Sequence, residues 1–235
     1  MTFVSEAISS SVLAGQFINI KIDASNDPLL RRPFSVYRTN GPEVEIIFNV
    51  IGKGSSILHR KREGDTVGVL GPLGVPFSLS GGDFTTALLI GGGLGVAPLP
   101  ISTAVLRKAG KSILTFLGSR TANQLVGNHL ESLHVATDDG TAGFHGTVVD
   151  LFKKHYRETH PSHPKIFACG PTRMLHAVAE FAMAEDIPCE VSMEGPMACG
   201  FGICQGCPVE LVDGDKKYAL MCKDGPTFDV RRIRI

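Results

Sequence analysis

Ala87-Leu88-Leu89-Ile90-Gly91-Gly92-Gly93-Leu94-Gly95-Val96-Ala97-Pro98 is the stretch on which the fold turns. A short apolar run bounded by glycines has the length of a buried strand. After the glycines, a helix extends to about Lys108. A strand that enters a helix through glycines can let backbone N–H groups approach a pyrophosphate at the helix start. Gly91, Gly92, Gly93, Gly95 and Pro98 are therefore candidate nucleotide contacts. The order is not the strict G-x-G-x-x-G fingerprint, and tight strand-to-helix packing is the other use for the glycines, although their place in the sheet favours a phosphate.

Outward from this turn the same alternation continues. Ile113 to Leu117, His134 to Thr137 and Lys165 to Ala168 read as further strands, and Cys189 to Met193 as a fifth. Thr172 to about Glu185 reads as a helix, with Leu175, Val178, Ala179 and Ala182 on one apolar stripe. Strands alternating with helices predict a doubly wound parallel sheet over residues 83–193, with ligands at the carboxyl ends of its strands. Cys169-Gly170-Pro171 closes the fourth strand at such an end. Cys169 is the candidate catalytic residue, or else a buried thiol; Gly170 and Pro171 are candidate cofactor contacts. Thr137-Asp138-Asp139-Gly140 ends the third strand, and its carboxylates suit either a turn or a ligand.

Before the sheet, residues 1–82 show a period of two. Ile18, Ile20 and Ile22 share one face, and Val44, Ile46, Phe48 and Val50 repeat the pattern. Thr66 to Leu70 is a third run, and Gly-Pro and Gly-Asp pairs separate them. Many short strands predict a small antiparallel barrel. Arg32-Pro33-Phe34-Ser35 follows one strand, and the Arg32 fork of donors could hold a phosphate. Gly52-Lys53-Gly54-Ser55-Ser56 is a glycine turn before a helix predicted from Ser56 to Lys61, also suited to a phosphate. A surface arginine and a helix cap are the simpler readings of these two.

After the sheet, residues 194–235 carry Cys199, Cys204, Cys207 and Cys222 in a C-x4-C-x2-C…C arrangement. That is the plant-type spacing for a 2Fe-2S cluster. Gly195, Gly200, Gly202 and Gly206 let the loop turn its N–H groups toward negatively charged sulfurs. A zinc site is the competing use, but zinc knuckles pair two short units and Cys222 stands alone. Val209 to Val212 and Tyr218 to Met221 predict a hairpin that brings the fourth cysteine in.

Composition narrows the partners. Lys plus Arg is 23 and Asp plus Glu is 23, so no global field attracts nucleic acid or an anionic membrane. No apolar run reaches about 18 residues, and the first residues lack the pattern of a secretory signal. A cytoplasmic protein with reduced cysteines is expected. The eight histidines show no triad-like or metal-like spacing.

In combination, R-P-x-S, G-x-G-S, G-G-G-x-G-x-A-P and C-G-P resemble the ferredoxin–NADP reductase superfamily. With the cysteine module, the chain resembles the electron-transfer subunits of class 1B dihydroorotate dehydrogenases over nearly its whole length. Arg32 to Ser35, Thr137 to Gly140 with Gly146-Thr147, Ala168 to Pro171, Cys199 to Cys207 and the ending from Cys222 to Asp229 carry the likeness. The resemblance implies FAD contacts at Arg32, Pro33, Phe34 and Ser35, along Phe48-Asn49-Val50, and at Gly54 and Ser55. It implies a 2Fe-2S cluster on Cys199, Cys204, Cys207 and Cys222, with NAD as co-substrate. It further implies an FMN-containing catalytic dihydroorotate dehydrogenase subunit as partner, in a heterotetramer serving pyrimidine biosynthesis. The chain departs from the family at Asn49-Val50, where an aromatic–Arg pair is common, and at Gly195-Pro196, where Glu-Arg is frequent. Gly54-Ser55-Ser56 replaces the usual Gly-Thr start. A flavin and iron–sulfur subunit of a ferredoxin–NADP or sulfide-linked oxidoreductase fits the same motifs, and a metal-binding redox-sensing module is the non-enzyme alternative.

Overall fold

A computed structural model of the chain describes residues 1–235 apart from Ala24 and Asn26. The first part contains β1 (Thr2–Val4), α1 (Glu6–Ser9), β2 (Phe17–Lys21), β3 (Arg32–Ser35), β4 (Arg38–Asn40), β5 (Glu43–Glu45), α2 (Lys53–His59) and β6 (Gly68–Leu73). Its strands form two three-stranded antiparallel sheets, ordered β1-β5-β4 and β3-β2-β6. Ile18, Ile20 and Ile22 point from β2 and its end into a core shared with Val36, Val44, Ile46 and Leu58. The period of two is thus used as the sequence implies, one face buried between the sheets.

The strand expected to run from Val44 to Val50 is shorter. β5 stops at Glu45, and residues 46–50 lie outside any strand. Its neighbours β1 and β4 pair with it only over Glu43 to Glu45, and the ladder closes where Met1 and Ile46 exchange backbone bonds of 2.9 and 3.0 Å. Beyond that point the alternating side chains have no sheet to join, so Phe48 and Asn49 turn toward clefts instead. The helix expected from Ser56 begins earlier, at Lys53.

The second part contains β7 (Thr86–Gly92), α3 (Leu99–Lys108), β8 (Ser112–Ser119), β9 (Leu133–Thr137), β10 (Phe144–His145), α4 (Val148–Thr159), β11 (Pro164–Cys169), α5 (Thr172–Ala184) and β12 (Cys189–Ser192). A seven-stranded sheet has the order β10-β9-β8-β7-β11-β12, completed by a last strand, Thr227–Asp229. From β7 the chain winds outward through β8, β9 and β10, then returns to the other side of β7 with β11. The topological switch point therefore lies between β7 and β11, which is where open α/β sheets bind ligands. Alternation along the central strands divides the core in two. Leu88 and Ile90 join Phe116, Phe152 and Leu175 on the face covered by α4 and α5. Ala87 and Leu89 join Leu99, Leu106 and Phe167 on the face covered by α3.

The final part contains β13 (Pro208–Glu210), β14 (Tyr218–Leu220), α6 (Met221–Asp224) and β15 (Thr227–Asp229). β13 and β14 form the expected hairpin, shortened because Met221 begins α6. β15 pairs antiparallel with β12, Ser192 opposite Thr227, so this part contributes an edge strand to the large sheet. Among the described residues no helix is long and apolar enough to cross a membrane.

Phe167 is fully buried, with Phe77 and Phe84 edge-on to it at ring-centroid distances of 5.5 and 5.7 Å. It joins the sheet to the segment that leads in from β6. Phe167→Ala is expected to cost about 3–5 kcal/mol through lost transfer energy and cavity formation. A urea or thermal unfolding curve checks this.

Candidate cofactor site

β3 forms one wall of a cleft of about 550 Å³, inside the range of roughly 300–1,000 Å³ common for small-molecule sites. Arg32, Pro33, Phe34 and Ser35 line it with Phe48, Asn49, Gly54 and Ser55, so residues far apart in sequence converge on one space. Phe34 and Phe48 supply its apolar surface, ring centroids 5.5 Å apart. The Arg32 side chain lies along the glycine turn, its Nε 3.5 Å from where a Cβ on Gly54 would stand. Arg32 also donates to the Leu30 carbonyl at 2.8 Å, which fixes its position. Ser55 organises the turn: its Oγ accepts from the Ile51 and Gly52 N–H groups at 3.0 and 3.1 Å. An elongated cleft with two aromatic rings at one part and a guanidinium beside a glycine turn at another fits a flavin with its phosphates. Val50 is not brought to this cleft; it lines a second and larger one, about 1220 Å³, between β1, β6 and the end of α2.

The opposite wall comes from the sheet. Leu94 and Ala97 of the glycine turn line it, with Ser192, Met193, Glu194, Gly195, Met197 and Pro226. Leu94 and Ala97 belong to the glycine turn already marked in the sequence; the others were not evident there as cleft contacts, because they meet the cleft only through the way β12 and β15 face the barrel. Glu194 is exposed at the cleft mouth yet surrounded by protein on most sides, and this loss of water raises its carboxyl above the usual range.

At the switch point Gly91 stands opposite Cys169 in the ladder. Close packing accounts for much of the glycine requirement. A Cβ on Gly95 would stand 2.1 Å from the Cys169 carbonyl oxygen, and backbone cannot yield there. Gly93 differs, with φ +55 and nothing within 4 Å of its Cβ position, so it borders open space. Close packing thus accounts for Gly95, while Gly93 leaves room beside the turn. Gly92, Gly170 and Pro171 pack against one another around Met174, and Pro98 leads into α3. The Cys169 side chain is 1% exposed, and burial strongly raises its pKa, partly offset by a Ser192 hydrogen bond. It is a buried, neutral thiol at the carboxyl end of β11. Asp139 serves its turn: its carboxylate accepts from the Thr141 N–H at 3.0 Å and hydroxyl at 2.6 Å, which lowers its pKa.

The four clustered cysteines lie beyond β12. Among the described residues, no three His, Cys, Asp or Glu side chains gather as a single metal ion requires. Instead Cys207 and Cys222 form a pair, Sγ to Sγ 3.3 Å. Cys204 turns its N–H toward the Cys199 sulfur at 3.4 Å. These contacts place Cys207 beside Cys222 and Cys204 beside Cys199, the four thiols that a 2Fe-2S cluster would need. Cys222 is presented by α6, directly after the hairpin, and Gly202 donates its N–H to that sulfur at 3.1 Å. Backbone donors from Cys204 and Phe201 pull the Cys199 thiol down to about 6, while burial and the adjacent Cys207 push Cys222 up to about 12. The loop is thus arranged to stabilise negative sulfur at Cys199, and bound iron would offset the burial of Cys222. Asn19 of β2 donates to the Cys199 carbonyl at 2.8 Å. Its buried Oδ1 has no partner among the described residues, a state that costs about 1–3 kcal/mol.

In iron-free protein at neutral pH, Cys199 is expected to be largely thiolate, since its pKa lies below that pH, and to alkylate readily with iodoacetamide. Labelling should fall as pH drops through about 6. Cys169 and Cys189, both buried with raised pKa values, should stay unlabelled until the chain unfolds. Peptide mass spectrometry reads all three.

Residues 194–234 match the family described as the iron-sulfur cluster binding domain of dihydroorotate dehydrogenase B. The chain is 34% identical to the dihydroorotate dehydrogenase B (NAD(+)) electron transfer subunit of Desulforamulus reducens, over 97% of this chain and 89% of that protein. The subunit of the same description from Bacillus pumilus is 35% identical over 100% of this chain and 92% of its own length. Among solved structures, that of an NADH-dependent reduced ferredoxin-NADP oxidoreductase, studied for flavin-based electron bifurcation, superposes with a TM-score of 0.87. It is 31% identical and covers 99% of this chain and 83% of its own. The ferredoxin reductase of carbazole 1,9a-dioxygenase, 24% identical with a TM-score of 0.56 over 76% of this chain and 58% of its own, shares the fold. With full-length relatives above 30% identity and their iron–sulfur domain in place, the chain belongs to the dihydroorotate dehydrogenase B electron transfer subunit family.

Proposed function

We propose that this chain carries electrons from the FMN of a catalytic dihydroorotate dehydrogenase subunit, through a 2Fe-2S cluster and FAD, to NAD, in pyrimidine biosynthesis. The observation that carries the reading is one cleft whose walls are the Arg32–Ser35 strand, the Gly52–Ser55 turn and the Ser192–Gly195 strand end. The last of these runs directly into the cysteine loop. When bound, FAD exchanges a hydride with a nicotinamide and single electrons with the cluster; the protein contributes orientation and electrostatics.

In this reading Arg32 and the turn at Gly54 and Ser55 hold the flavin phosphates. Pro33, Phe34 and Ser35 line the ring, with Phe48 and Asn49 beside them. The nicotinamide nucleotide lies over Gly93 at the switch point, against Cys169 and Gly170. Cys169, as a neutral thiol, shapes that wall and needs no thiolate chemistry. Glu194 places a carboxyl group at the cleft mouth. Cys199, Cys204, Cys207 and Cys222 hold the cluster. The working division is residues 1–82 for FAD, 83–193 for NAD and 194–235 for the cluster. Heterotetrameric assembly with the catalytic subunit is part of the proposal, as is a cytoplasmic setting, which suits cysteines kept reduced for cluster binding.

The likeness to the ferredoxin-NADP oxidoreductase structure favours one second reading, in which the same cofactors serve reduced ferredoxin. Anaerobic protein, purified with its native partner, should reduce NAD when given dihydroorotate. Turnover with reduced ferredoxin and none with dihydroorotate, at full cofactor content, would select the second reading. Cys204→Ser should abolish the broad iron–sulfur absorption and lower iron and acid-labile sulfide while leaving FAD bound. An unchanged spectrum rejects the ligand set.

A further inference from the structure

Asn19 is the polar exception in an isoleucine strand. Its neighbours Ile18 and Ile20 enter the barrel core, while its own side chain, 1% exposed, faces the other way. In the ladder it stands opposite Pro33 of the flavin strand. Its Nδ2 reaches the Cys199 carbonyl oxygen, 180 residues away in the chain, at 2.8 Å. The amide orientation is set by chemistry, since the reverse would point an oxygen at a carbonyl oxygen. The cluster loop is shaped to this contact. Gly200 has φ +81, and a Cβ there would stand 2.2 Å from Asn19 Nδ2.

A buried strand position with an unpartnered acceptor is not explained by packing, because an apolar side chain would fill it without the polar cost. The donor end supplies the reason for the residue. We propose that Asn19 is a positioning residue: its amide fixes the Cys199 peptide, and with it the Cys199 and Cys204 sulfurs, against the strand pair that holds the flavin. It thereby sets the gap and orientation between the two redox centres, and electron transfer slows steeply as such a gap widens. Hydrogen bonding near the sulfurs also tunes cluster potential. The proposal rests on Cys199 being a cluster ligand.

The test uses the full chain, prepared anaerobically with its cofactors, as wild type, Asn19→Ala and Gly200→Ala. Iron, sulfide and FAD are quantified, the cluster is examined by electron paramagnetic resonance and redox titration, and NADH is mixed in stopped flow. Both variants should keep FAD, and NADH should bleach it at the wild-type rate. Cluster reduction should slow several-fold, with a shifted potential or altered resonance line shape. Wild-type cluster signals and rates in both variants overturn the proposal. Joint loss of FAD and cluster in both also overturns it, because Asn19 would then serve the fold as a whole. If Asn19→Ala does not fold, Gly200→Ala decides by the same readouts. Wild-type protein lacking iron and sulfide would instead defeat the ligand assignment.

Discussion

The pairing of Ser192 with Thr227 is the constraint on which the arrangement depends. β12 ends where the cysteine loop begins, and β15 starts where it has returned. Everything between is a closed excursion with both ends fixed at the carboxyl edge of the sheet. That edge is also where Gly91 meets Cys169 at the switch point. One antiparallel pair therefore holds the cysteines, the glycine turn and the barrel cleft within one neighbourhood. Thr227 strengthens the join by donating to the Val75 and Pro76 carbonyls at 2.8 and 2.9 Å, which tie it to the segment leading from the barrel.

The two halves of the core explain why the parallel sheet was legible. Ala87 to Ile90 is apolar on both faces because α3 covers one and α4 and α5 the other. The barrel strands were legible where a buried face alternates with a polar one, as at Ile18 and Ile20. The alternation misled at Phe48 and Val50, since periodicity reports which side chains seek cover and not whether a partner strand is there to pair. α4 was missed, although Thr147 and Asp150 form a cap signal before Val148, Val149 and Phe152: Asp150 N–H donates to the Thr147 hydroxyl at 3.1 Å.

The site was legible where chemistry dictates spacing and illegible where topology supplies the neighbour. Cys199, Cys204, Cys207 and Cys222 are marked by their intervals. Arg32 and Gly54 are marked by local composition, though only the fold brings them together. Ser192, Glu194 and Asn19 carry no local signal, for their roles come from elements placed opposite them. Gly95 is instructive in another way. Its glycine is demanded by the Cys169 carbonyl, so a motif read for a phosphate partly records a strand crossing.

Cys204 is exposed, and its neighbours Phe201 and Ile203 present apolar side chains at 44% and 75% exposure. Of the four cysteines in the cluster motif, Cys204 is the one most open to water, Cys199 being half-buried and Cys207 and Cys222 buried. Loss of iron would therefore leave Cys204 the first of the four that a solvent-borne oxidant meets.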